Sequence, residues 1–110
     1  GVRCVSTNDW VTAAETAECV LALDALGLTS QALDLFGCTE LHRRPDGAYW
    51  TGIAYPERVT FPQNEATSYT AAAVLLAADA LTSSSGAAGL FRHAELAVPL
   101  DLAEPGCPLR

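Results

Sequence analysis

Hydrophobic positions along the chain group into three helical patterns, with an aromatic stretch between the second and the third. The third pattern, residues 66–81, organises the rest. It contains no Gly or Pro, and Ala and Leu, strong helix formers, supply most of it. From Ala71 to Ala78 every side chain is apolar, so the predicted helix lacks a polar face and must be covered on several sides. Its uncharged run, 66–78, falls short of the ~20 residues that span a bilayer. The pattern predicts a buried central helix, and Ala72→Glu is expected to abolish soluble folding.

The first pattern predicts a helix over 10–26. Ser6, Thr7, Asn8 and Asp9 offer caps, Ala14, Ala17, Val20 and Leu21 face inward, and Gly27 ends it. After a short link, with Thr29 or Ser30 as cap, the second helix covers 31–42. Leu33, Phe36 and Leu41 should be buried, Gln31, Asp34 and Glu40 exposed, with Arg43-Arg44 at the negative pole of its dipole. Pro45-Asp46-Gly47 is a turn. The aromatic and β-branched run 49–55, answered by Val59-Thr60-Phe61 across Pro56, reads as a small β-hairpin or packed loop. Asn64 or Thr67 caps the central helix. Beyond it come a serine-rich linker, one or two helical turns over 87–93, and an irregular Pro-containing tail.

One triplet recurs. Asp24-Ala25-Leu26 returns 55 positions later as Asp79-Ala80-Leu81. The register predicts two αα-hairpin units over residues 1–95, with 96–110 as tail. Both aspartates fall near helix C-termini, where a negative charge opposes the dipole, so each should accept backbone hydrogen bonds or pair with an Arg.

Six basic residues against 13 acidic ones give a net charge of −7, and only Arg43 and Arg44 are adjacent. No basic stripe exists to meet phosphates, which argues against nucleic acid and anionic membrane surfaces as partners. The chain has no Met and begins with Gly1, which suggests a processed product or a piece of a longer polypeptide. Its four cysteines form no CxxC pair. With no secretory signal, the default is a cytoplasmic protein with free thiols.

Asp46-Gly47-Ala48-Tyr49-Trp50-Thr51-Gly52, Tyr55-Pro56, Phe61-Pro62 and the run 70–81 resemble the C-terminal part of actinobacterial prenyltransferase-like proteins, as does the stretch 8–18. Those look like members of the terpene-cyclase and prenyltransferase α/α-toroid superfamily. The resemblance implies an all-α fold, a ring of inner helices inside outer ones with any site at one mouth, and an isoprenoid or other apolar substrate. The ring would be completed by the remainder of the polypeptide or by a second copy. The aspartate-rich and zinc-ligand signatures of that superfamily's enzymes are absent, and no cofactor is indicated.

Trp10, Tyr49, Trp50, Tyr55 and Tyr69 lie at helix starts or in the loop between repeats, where they could bind substrate or wedge the loop onto the helices. Asp9, Glu15, Asp46 and Glu65 are carboxylates near the same end. Glu15, among apolar neighbours, is the best candidate for a shifted catalytic group, with Asp9 and Glu65 next; each also reads as a cap or dipole partner. Asp34, Cys38 and His42 share one helical stripe, which reads as a surface stripe rather than a metal site. Two other function classes compete: a carbohydrate-active six-hairpin glycosidase, with aromatic platforms and paired carboxylates, and a non-enzymatic helical scaffold.

Overall fold

The computed structural model describes residues 1–92. Its elements in order are β1 (Val2–Arg3), β2 (Trp10–Thr12), α1 (Ala13–Ala25), α2 (Thr29–Gly37), a 3₁₀ turn (Cys38–His42), β3 (Gly52–Ala54), β4 (Val59–Thr60) and α3 (Ser68–Thr82). The strands form one antiparallel sheet in the order β1-β2-β3-β4. Val11 pairs with Arg3 on one side and Ile53 on the other, and Ile53 pairs with Thr60.

This sheet overturns the all-α expectation. Trp10, Val11 and Thr12, expected in the first turn of a helix, are aromatic and β-branched residues that fit a pleated surface, and they form its second strand. The candidate caps at 6–8 turn the β1–β2 hairpin instead. Only the segment across Pro56 was expected to pair, as a hairpin or packed loop, and there β3 and β4 do form a hairpin. The two proposed repeats also diverge: α1 runs on into α2, whereas α3 is followed by turns closed by Ala88, Leu90 and Arg92 amides. The structure is a small sheet beside three helices, not a run of toroid hairpins.

The 55-residue register nevertheless reappears in local geometry. Helix α1 starts at Ala13 and α3 at Ser68, each after an extended threonine. Thr51 joins the two starts: its N–H donates to the Glu65 carbonyl at 3.0 Å and its carbonyl accepts from Ala13 N at 3.1 Å. Thr67 caps α3 by accepting from Thr70 N at 3.1 Å. Gly27, at φ +74°, terminates α1 in the left-handed conformation that glycine adopts without a Cβ penalty.

The core lies where α1 packs on α3. Ala13, Ala17, Ala73 and Ala77 are buried at that seam, and small side chains let the two backbones approach; Val20, Leu21 and Val74 fill the remainder. Only one face of α3 is covered by the described residues. Leu75 is 69% exposed, Leu76 42%, and Ala72 also meets solvent. An acidic side chain at Ala72 can therefore reach water, contrary to expectation.

Helix α2 departs from its sequence pattern. It stops at Gly37, a poor helix former, and Thr39 Oγ1 donates to the Phe36 carbonyl at 2.8 Å, drawing the chain into the 3₁₀ turn. The tighter winding changes which side chains face inward. Leu33 and Leu41 are about half exposed, while Ala32, Thr39 and His42 are buried. No helix among the described residues is long and apolar enough to cross a membrane. The tail 96–110, His93 and Cys107 lie outside the described residues.

Candidate functional site

The N-terminal turn of α1 gathers the most polar contacts. Glu15 accepts a hydrogen bond from Thr12 Oγ1 through one carboxylate oxygen and, through the other, one from Cys4 Sγ at 3.2 Å. Burial pushes its pKa up, but the bonds from Thr12, Cys4 and its own backbone N–H outweigh that and hold it below the usual glutamate range. Glu15 is thus a shifted group, but shifted toward the ionised form. Its bond to Cys4, with burial and charge adding, raises the thiol's pKa, which leaves Cys4 a weak nucleophile.

The other predicted carboxylates lie apart from it. Asp9 pairs with Arg3 at 3.0 Å on the surface, and its backbone carbonyl accepts from Tyr55 N at 2.8 Å. Glu65 is exposed, and its carbonyl holds Thr51. Asp46 Oδ1 accepts from Ala48 N at 3.1 Å within the turn, while Oδ2 meets Arg44 at 2.8 Å.

The aromatic candidates divide among three places. Trp10 lies across Gly52, where an added Cβ would sit 2.2 Å from the indole nitrogen. Its Nε1 donates to the Phe61 carbonyl at 2.8 Å, and the two rings meet edge to face with centroids 5.5 Å apart. Tyr55 lies near this ledge through its backbone bond to Asp9. Trp50 carries the Arg44 guanidinium 4.4 Å above its ring, and Tyr49 packs against the core. Tyr69 stands apart on α3 and is 62% exposed.

Tyr69 marks a feature that sequence reasoning missed. Its hydroxyl donates to Glu18 on α1, and that carboxylate raises the tyrosine's pKa. The pair closes the polar end of a cleft of about 630 Å³ between α1 and α3, whose walls include Leu21, Ala22, Ala72, Leu76 and Phe91. The pairing spans 51 positions, and no spacing rule announces it.

His42, expected on a surface stripe, is only 1% exposed. Its Nε2 lies 3.2 Å from the Val11 carbonyl, and Nδ1 has no hydrogen-bond partner. Burial lowers its pKa against the opposing pull of the Val11 carbonyl. Among the described residues no three His, Cys, Asp or Glu side chains converge as a metal site.

The chain is similar to a mannosidase. Over 96 residues, 87% of this chain, it is 46% identical to the MMP endo-(1,4)-3-O-methyl-alpha-D-mannosidase of Mycolicibacterium hassiacum. It spans 26% of that protein's length. No family model matches. A relative named as a glycosidase overturns the resemblance to prenyltransferases and terpene cyclases, and with it the transferase reading. An aromatic loop beside an Ala-rich helix is a structural pattern, and such a pattern does not determine the chemistry placed upon it.

Proposed function

We propose that this chain is a segment of a carbohydrate-active enzyme, a glycoside hydrolase acting on a mannosidic polysaccharide. The observation that carries the reading is the 46% identity to the mannosidase. Most glycosidases use two carboxylates, one ionised as base or nucleophile and one protonated as acid. Glu15, held ionised by Thr12 and Cys4, suits the first role and not the second. Glu18, one turn further along α1 and bound by Tyr69, is the nearest second carboxylate in sequence. Asp9 is engaged by Arg3, and Glu65 takes part through its backbone carbonyl, so both rank behind them.

The Trp10–Phe61 ledge suits a pyranose ring: an aromatic face takes the C–H side of a sugar, and Phe61 is 55% exposed. We assign Tyr55 to the margin of that ledge and Tyr69 to the cleft. Trp50 and Tyr49 serve packing, since Arg44 covers a Trp50 face and Tyr49 joins the core.

The test is hydrolysis by the intact protein. With α-1,4-linked 3-O-methylmannose polysaccharide, new reducing ends should accumulate, and Glu15→Gln should suppress them. Failure to release reducing ends from methylated and unmethylated α-1,4-mannan alike would remove the reading.

A further inference from the structure

We propose that the cleft between α1 and α3 is the dock for this chain's own C-terminal segment, with Leu96, Val98 and Leu100 against its walls. The proposal is independent of the glycosidase reading. Arg92 is fastened to Asp24 and to the Ala80 carbonyl, at the C-terminal ends of α1 and α3. Phe91, beside it, already forms part of the cleft wall. The chain therefore leaves the described fold at one end of the cleft, with residues 93–110 still to follow. From the level of Ala80 to that of Leu76 is about one helical turn, or ~6 Å, and three extended residues reach ~10 Å. Residues 93–95 are enough to bring Leu96 to the cleft.

The walls and the segment match in chemistry and in length. Leu21, Ala22, Ala72 and Leu76 offer carbon to the space between the helices, and burying apolar side chains there is favourable. Residues 96–102 read Leu-Ala-Val-Pro-Leu-Asp-Leu, with the large apolar side chains at alternate positions. Alternate residues of an extended chain share one face, so Leu96, Val98 and Leu100 form a single apolar edge of ~13 Å. The floor from Tyr69 to Leu76 runs for ~10 Å along α3. Pro99 fits this arrangement: its φ suits an extended chain, and it has no N–H to lose its water beside an apolar wall. Ala97 and Asp101 fall on the opposite edge, toward solvent. Tethering decides between this occupant and a second copy. A segment joined at Arg92 meets the cleft at an effective concentration on the order of millimolar, whatever the protein concentration.

Nuclear magnetic resonance of the intact, methyl-labelled protein tests the placement. Nuclear Overhauser effects should join methyl groups of Leu96, Val98 or Leu100 to those of Ala22, Ala72 or Leu76, and should persist on dilution. A pair of variants tests the register, read by the fluorescence of added anilinonaphthalene sulfonate, a dye that brightens on apolar surface. Val98→Asp, on the edge that meets the wall, should uncover the cleft and raise the signal severalfold. Ala97→Asp, on the opposite edge, should leave it unchanged. Absence of the expected Overhauser effects overturns the proposal. So do effects that appear only between labelled and unlabelled molecules, which would assign the cleft to a second copy. Equal responses from the two variants, including no response from either, overturn it as well.

Discussion

Arg92 reaches back across 68 positions to grip Asp24, with Nε 2.6 Å from Oδ2 and Nη2 2.9 Å from Oδ1. Nη2 also donates to the Ala80 carbonyl, so one side chain ties the C-terminal ends of α1 and α3 together. The Asp24 side chain is only 6% exposed. A buried carboxylate without its partner is costlier than a missing ion pair. Arg92→Met should therefore lower the thermal midpoint by more than the Asp24→Asn, Arg92→Met double variant does. Equal midpoints would mean that the pair contributes only packing.

Gly52 is where the indole of Trp10 rests. A Cβ there would lie 2.2 Å from Nε1 and 3.0 Å from the Val11 carbonyl, and the backbone oxygen has little room to retreat. Gly52→Ala should displace the indole, break its bond to Phe61, and destabilise the fold by roughly 1–3 kcal/mol. Tryptophan emission should shift to longer wavelength as the ring meets water. An unshifted spectrum with an unchanged unfolding midpoint would contradict the close contact.

His42 makes stability acid-sensitive. Its pKa in the folded protein lies below the ordinary value of about 6.5, so the unfolded chain binds the proton more readily. By linkage, this contribution is fully present above about pH 6.5 and is lost as pH falls from there toward the folded-state pKa. Glu15 adds a second loss at lower pH, because its folded-state pKa is also depressed. Chemical denaturation from about pH 2 to 8 should reveal both, and His42→Phe should flatten only the upper part.

Glu15 can be separated from its scaffold role by kinetics. If it supplies the ionised carboxylate of a glycosidase, Glu15→Gln should cut kcat by about 10²–10⁴. The amide keeps the acceptor that Thr12 needs, so the thermal midpoint should move little. Thr12→Val, by contrast, should raise the Glu15 pKa and move the acid limb of the pH–rate profile upward. A large midpoint loss with unchanged kcat in Glu15→Gln would mark it as structural.

Patterns that depend on neighbours in sequence were legible. The hairpin or packed loop across Pro56, the Gly27 stop and a cap at Asn64 or Thr67 follow from local chemistry that the fold retains, with the hairpin and Thr67 the alternatives realised. Of the two partners open to Asp24, a backbone turn or an arginine, the fold supplies the arginine from 68 positions away. The sheet was not legible, because Val2–Arg3 and Trp10–Thr12 are too short to display a period of two, and a run of candidate caps before Trp10 imitates a helix start. Helix α2 misled for a related reason: the 3₁₀ turn after Gly37 changes the winding, so a 3.6-residue period carried through it places Leu41 inside and His42 outside. Glu15 was recognisable as a shifted carboxylate from its apolar neighbours, but the direction of its shift depends on Thr12 and Cys4. Glu18 was overlooked because its partner lies on a different helix.

Ala72 decides between two explanations of the apolar flank of α3. Its side chain faces the open cleft, beside Leu76 and across from Ala22 and Ala25 on α1. If the cleft is open in the intact protein, Ala72→Glu places a carboxylate where water can reach it, and the folding cost should stay within about 0.5 kcal/mol, as for other surface changes. If protein covers this flank, the charge is trapped in an apolar interface, and the unfolding midpoint should fall by several kcal/mol equivalents or the protein should fail to accumulate. Chemical denaturation of Ala72→Glu beside Ala72→Ser separates these outcomes, because serine is tolerated in both settings.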